Sequence, residues 1–295
     1  MLRLSKDEQG FHTVWRVSED RPGTAMLAKE RSEKFWALLL PAAVFILFAL
    51  LWQLCTINSG SLIIPTFSQT MAGLYTLLFV RGDLWLALGQ SDQALVLGYL
   101  ISILIGVPFG LAMARAKWLE DIAEPYTHML LAVPTAPLIP LIMMAFGLGL
   151  ASRVIIVVMF TFIYITINTR AGARNVDKSL IEMAKSFGAS EAQIWHRILI
   201  PGAVPAILTG LRIGLGRAIN GMVAAELLLV ASGIGNLLLE FRAAFEGGLL
   251  FATVFAVALQ AVVLLAFMRA LEQKLAAGLM YDNKSTAVGW AMSAE

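Results

Sequence analysis

Arg217, Asn220 and Glu226 stand inside the run AILTGLRIGLGRAINGMVAAELLLV (206–230), which is otherwise apolar enough to cross a membrane. Arg212 shares that run. An ionisable group at membrane depth costs at least about 2.5 to 3.5 kcal/mol, so it faces a bundle interior or a wet cavity. The chemistry open to such groups is recognition of charge, not bond-making. Arg212 lies about one and a half turns in, near enough to the surface to snorkel or to bind loop carbonyls. Arg217, Asn220 and Glu226 sit deeper and are candidates to line a translocation path. A second role stays open for Glu226, capping a neighbouring helix from the inside. Nine residues separate it from Arg217, a net half-turn, so the two are not expected to pair.

Bond-making machinery is missing. The sequence has no G-x-x-x-x-G-K-[ST] phosphate loop, no H-E-x-x-H pair and no G-x-S-x-G elbow. His12, His128 and His196 lack metal-ligand spacing. Cys55 is the only cysteine, which excludes an intrachain disulfide and a thiolate cluster. The expectation is a protein that is not an enzyme and binds no metal or cofactor of its own.

Pro134, Pro137 and Pro140 punctuate LAVPTAPLIPLI at intervals of three. Each removes a backbone donor and kinks or breaks a helix. In hydrocarbon this is tolerated only where neighbours or cavity water satisfy the freed carbonyls. The expected element is an irregular, pore-lining or gate-forming helix, with Phe146 to Gly149 as a tight exit turn. Gly106-x-x-x-Gly110 and Gly210-x-x-x-Gly214 fit small-residue packing faces, expected to work within the subunit.

Residues 182–201, EMAKSFGASEAQIWHRILIP, form a polar island that favours helix. The pattern predicts a short helix over 178–187, closed by Gly188 in the left-handed conformation of a C-terminal cap. Ser190 with Gln193 three residues on forms a capping box that starts a second helix, and Pro201 is expected to end it. Two short helices hinged at a glycine make a knob on one membrane face, suited to docking more than to catalysis.

The elements that carry these residues follow from composition. With 59% hydrophobic and 14% charged residues and a mean hydropathy of +0.77, the chain is too apolar for a soluble globule. Apolar runs at Phe35–Cys55, Ala94–Met113, Tyr126–Leu150, Val154–Asn168 (extended by 150–153), Ala206–Val230 and Gly247–Met268 predict about six transmembrane helices. Phe67–Leu88, with Gln69, Arg81 and Asp83, reads as an amphipathic helix at the interface. Fourteen Lys and Arg lie in the first 34 residues and the 115–125 and 170–200 loops, against Arg81, Arg153 and Arg242 opposite. That asymmetry places the knob and both termini in the cytoplasm. With acids at Asp7, Glu8, Glu19 and Asp20 and no apolar h-region, the N-terminal segment is not expected to be a cleaved signal. The expected organisation is all-α and polytopic: a tail over 1–34, a membrane domain over 35–277 and a tail over 278–295, both tails solvated.

The knob resembles the cytoplasmic EAA loop of ABC importer permeases. Glu182, Ala184, Gly188, Ile198 and Pro201 match its spacing, while Met183 replaces an alanine and Ile200 a leucine. The likeness spans about Ile64 to Leu275, through GDLW (82–85), GVPFGLAMA (106–114), PTAPLIPL (134–141) and LTGLRIGLGRAINGMVAAE (208–226). It points to the branch serving nitrate, aliphatic sulfonates, taurine and thiamine-type precursors. One departure is Ser91-Asp92-Gln93-Ala94 where that branch has Ser-Leu-x-Arg. The resemblance implies a type I importer permease in a bacterial inner membrane. Its partners would be a second permease copy, an extracytoplasmic substrate-binding protein and cytoplasmic ATPase subunits that hold ATP and Mg; nucleic acid has no part. The alternative, a self-energised carrier or channel, would need broken helices in symmetric halves, and only one is visible.

Overall fold

A computed structural model describes the backbone of residues 24–57, 64–229 and 233–292, and side chains over 39–57, 64–228 and 233–275. The expected tail over 1–34 lies outside the described residues up to position 23. Among the described residues every regular element is helical. The chain divides into two units, residues 1–55 and 56–295. The first is represented by α1 (Thr24–Thr56), with its membrane-length apolar stretch at Leu39–Thr56.

In the second unit α2 (Phe67–Tyr75) opens on a capping box, Thr66 with Gln69, and widens into a π-helical stretch, Thr76–Arg81. Gly82, at φ 74°, breaks the chain and α3 (Asp83–Arg115) begins. The interfacial helix expected over 67–88 therefore stops at Arg81. Its last residues belong to a 33-residue helix, about 50 Å long, that overshoots a hydrocarbon core of about 30 Å. The prolines break the next span: α4 (Lys117–Ala132) and α5 (Ile139–Phe146) meet at 91°, bridged by a 3₁₀ turn at Ala136–Leu138. Then come α6 (Leu150–Arg174), the knob helices α7 (Lys178–Ser186) and α8 (Glu191–Ile194), α9 (Ile200–Leu229), α10 (Ile234–Ala243) and α11 (Gly247–Met292). Among the described residues five helices are long and apolar enough to span, or six if the bent pair counts as one. The backbone stays helical past 278, where a solvated tail was expected.

Helix α6 is the centre of the unit. Lipid is as apolar as leucine, so the hydrophobic effect does not drive helices together here and close packing must do so. Glycines supply it from both sides. A Cβ at Gly106 would lie 3.2 Å from Ile165, and one at Gly110 only 2.5 Å from the Thr166 carbonyl oxygen. From the other side, a Cβ at Gly214 would lie 2.8 Å from the same Ile165, and one at Gly210 2.7 Å from Asn168. Both small-residue pairs thus pack within the subunit, with α3 parallel to α6 and α9 antiparallel. The knob defines one end of this three-helix slab; α10 marks the far end. Against the slab packs a core of Leu77 from the π-helical stretch, Leu84 at the start of α3, Phe241 of α10 and Ala252 and Ala256 of α11.

Gly110→Val is expected to force α3 off α6, an overpacking of about 1 to 3 kcal/mol. Melting of the detergent-solubilised protein should fall by several degrees, while Gly89→Ala, with no atom within 4 Å of the added carbon, leaves it unchanged.

Candidate functional site

At the knob, α7 ends as its sequence dictates. Gly188 sits at φ 75°; its N–H donates to Lys185 O (2.9 Å) and that of Ala189 to Ala184 O (2.9 Å), the two bonds of a Schellman closure. Asp177 caps the other end, accepting from the Ser179 N–H at 2.9 Å, and that bond holds its carboxyl below the ordinary aspartate range. Ser190 and Gln193 exchange both bonds of a capping box. The elbow between α7 and α8 is therefore closed from both sides.

Pro201 does not end the second knob helix. Residues Trp195–Leu199 widen into a π-turn, with the Ile200 N–H donating to Trp195 O, and the helix runs on unbroken into α9. The wider turn relieves the clash a proline ring makes with the carbonyl four residues back. Glu182, Ala184 and Gly188 lie on the first arm and Ile198 in the π-turn, and Pro201 begins the lever. Arg115, at the end of α3, grips Glu191 with two bonds of 2.6 and 2.8 Å, and Lys185 approaches the same carboxylate at 3.5 Å. Nearby Glu120, on α4, is buried beneath Arg170 and Arg174 of α6. Leu180, Met183 and Phe187 stay exposed, Phe187 at 85%.

At the far end Glu226 is 1% exposed. Its carboxylate accepts from the Ser91 hydroxyl (2.7 Å), the Gly235 N–H (3.1 Å) and the Arg153 guanidinium (3.4 Å). Ser91 in turn accepts from the Ile234 N–H at 3.0 Å. Glu226 thus takes the capping arrangement, holding the first turn of α10 from the inside rather than lining an open face. Gly233, at φ 72°, has room for no side chain, since a Cβ there would sit 2.4 Å from the Ser91 hydroxyl and 2.7 Å from Glu226. Arg153 lies in the first turn of α6, not in a loop, and is the partner that sequence spacing did not reveal.

Arg217 and Asn220 share a different face of α9. Both are exposed, and the Arg217 guanidinium lies over the Tyr164 ring of α6, 4.4 Å from its centroid. Pro134 falls at the break between α4 and α5, and Pro137 lies within its 3₁₀ turn. Helix α5 leans on α6 and α9 through Ile139, Ile142, Ile156 and Ala225. Among the described residues no three His, Cys, Asp or Glu side chains come together as metal ligands.

Residues 106–277, more than half the chain, match the family of inner membrane components of binding-protein-dependent transport systems. The chain belongs to that family. The permease is 31% identical over 235 residues to the taurine transport system permease protein TauC of Escherichia coli K12, covering 78% of this chain and 86% of the relative. It is 30% identical over 238 residues to the putative aliphatic sulfonates transport permease protein SsuC of Bacillus subtilis (81% and 85% covered). To the formylaminopyrimidine transport permease protein ThiX of Halalkalibacterium halodurans it is 26% identical over 236 residues (80% and 94% covered). Its fold matches the inward-facing MetNI methionine ABC transporter with a TM-score of 0.53 at 16% identity, covering 69% of this chain and 97% of that one. An amino acid ABC transporter matches with a TM-score of 0.51 at 20% identity, over 68% and 94%.

Sequence reasoning missed Ser91, Arg153, Arg115 and Tyr164 as partners. Removing one side of a buried ion pair costs about 3 to 5 kcal/mol, because the other charge stays buried. Glu226→Ala is therefore expected to cut the yield of folded permease sharply on size-exclusion chromatography. Adding Arg153→Met should restore part of it; no difference between the single and double variants would count against the pair.

Proposed function

We propose that the permease is the membrane-spanning subunit of an ATP-driven importer, with two copies forming the path for a small solute delivered by a separate binding protein. ATP is hydrolysed on separate subunits that seat the knob, and this chain catalyses no reaction and holds neither ATP nor Mg. The knob and both termini lie in the cytoplasm, in keeping with the distribution of Lys and Arg. Solutes of the taurine, sulfonate or thiamine-precursor kind are those the relatives' names carry; nitrate rests on the sequence resemblance alone.

One observation carries this reading: a rigid, doubly capped elbow presents exposed apolar side chains at the end of an unbroken helical lever. An exposed Phe187 flanked by charge is a poor surface for water and a good one for a groove. Push on the elbow passes to α9 through continuous helix and to α3 through the Arg115–Glu191 grip. Glu182, Ala184, Gly188, Ile198 and Pro201 are the coupling residues, serving as arm, cap and lever root. The solute itself moves along the face that carries Arg217 and Asn220, beside the Pro134–Pro137 break.

Gly188→Glu places a charged side chain at φ 75° in the contact and is expected to abolish both uptake and ATPase co-purification while the permease stays folded. Full retention of the ATPase with normal uptake would sink the docking role; uptake by permease alone in liposomes would sink the ATP requirement. Arg115→Glu or Glu191→Arg alone should uncouple ATPase activity from uptake severalfold. The exchanged pair should recover most of it, since an exposed pair adds at most about 1 kcal/mol to stability and the loss is one of transmission.

A further inference from the structure

Helices α6 and α9 carry five arginines. Arg153, Arg170, Arg174 and Arg212 each have a carboxylate within 4 Å: Glu226, Glu120 (for both Arg170 and Arg174) and Glu272. Arg217 has none among the described residues, and its companion is the Tyr164 ring. It stands about 26 Å along α9 from Ile200, with Glu226 about 14 Å further on, so it is well inside the span. Its exposed neighbours at helical spacing are Ile213 and Asn220, a stripe without a carboxylate. Hydrocarbon does not accept that stripe.

From this geometry we infer that Arg217, Asn220 and Tyr164 form a station for a small oxyanion, such as a sulfonate, within the permease itself. The inference rests on the two-copy importer reading above and narrows its substrate class. Set at the two-fold axis of the dimer, this stripe meets its own copy and brings a second guanidinium and no acid to the cavity. The solute then supplies the missing negative charge. The Tyr164 ring covers one face of the guanidinium and leaves its edge N–H groups directed in-plane, the geometry that binds two oxygens of one anion at once. Asn220, one turn further on, adds an amide donor of the kind an anion takes without proton exchange. A sulfonate carries its charge at any physiological pH, and the guanidinium beside it favours the ionised form of whichever oxyanion binds. A cationic pyrimidine is repelled. Helix α5 packs on α9 further along, at Ala225, about 12 Å beyond Arg217.

The test uses the full-length permease in lipid nanodiscs, prepared with its ATPase and without binding protein, probed by equilibrium binding of radiolabelled taurine, methanesulfonate and nitrate. At least one anion is expected to bind wild type, about tenfold or more weakly to Arg217→Gln, and to an intermediate degree to Arg217→Lys, which keeps the charge without the planar fork. Tyr164→Leu, which removes the ring and no charge, should weaken binding severalfold. Binding of no anion to wild type, or equal binding to wild type and Arg217→Gln, overturns the station. So does a loss that Arg217→Gln shows equally for a cationic pyrimidine probe. Should Arg217→Gln misfold, Tyr164→Leu and Asn220→Ala decide, and wild-type binding in both overturns it. Anion binding is read whether or not the ATPase stays attached, so loss of the ATPase speaks against the importer reading and loss of the anion against this one.

Discussion

A formal charge at membrane depth has to be answered by another charge, by a bonded donor or by water, and much of this permease is arranged around that demand. Glu226 and Arg153 lie on different helices and neither is tolerable alone. Together with Ser91 and the first N–H groups of α10 they form a buried knot that ties α3, α6, α9 and α10 at one end. Glu120 with Arg170 and Arg174 ties α4 to α6 at the other end. Gln260 donates to Asp92 and couples α11 to α3 in the same way. These links need helices close enough to reach across. The glycines that bring α3 and α9 onto the two sides of Ile165 make that possible.

The knob obeys a different economy, since water surrounds its polar groups. Its rigidity comes from caps: a Schellman closure, a capping box and an aspartate at the first N-terminus leave few backbone groups free to fray. Where a proline threatens the lever, the backbone widens to a π-turn for five residues instead of breaking. A break there would separate elbow from span, and the wider turn preserves a continuous rod. Stiffness at one end and a polar knot at the other leave the middle of α9, with Arg217 and Asn220, as the polar stretch of the helix that is not tied down.

Local chemistry made much of this legible in the sequence. The α7 stop at Gly188 and the Ser190 start depend on a few adjacent residues, and the structure has them where the pattern puts them. The Pro134–Pro140 break and the apolar runs are likewise local. The α2–α3 boundary was misplaced, because Gly82 is a one-residue signal set within a run of mixed polarity. Pro201 reads as a stop because proline's clash is local, while its relief comes from the π-turn at Trp195–Leu199 through which the helix continues into α9. Glu226 was visible as a polar residue at depth, but two roles remained open.

The sequence by itself determined an all-helical chain with about six apolar spans, the capped elbow and the presence of polar residues at depth in the last third of the chain, because these follow from periodicity, hydropathy and capping over a few residues. Only the tertiary structure decided which charges answer each other. Arg153 is 73 residues from Glu226 and Ser91 is 135 residues away, and no periodicity within a helix specifies which face of another helix it will meet. That choice is made by the close fit of glycine faces on α6, and with it the separation of a satisfied Glu226 from an Arg217 that meets the Tyr164 ring and, among the described residues, no carboxylate.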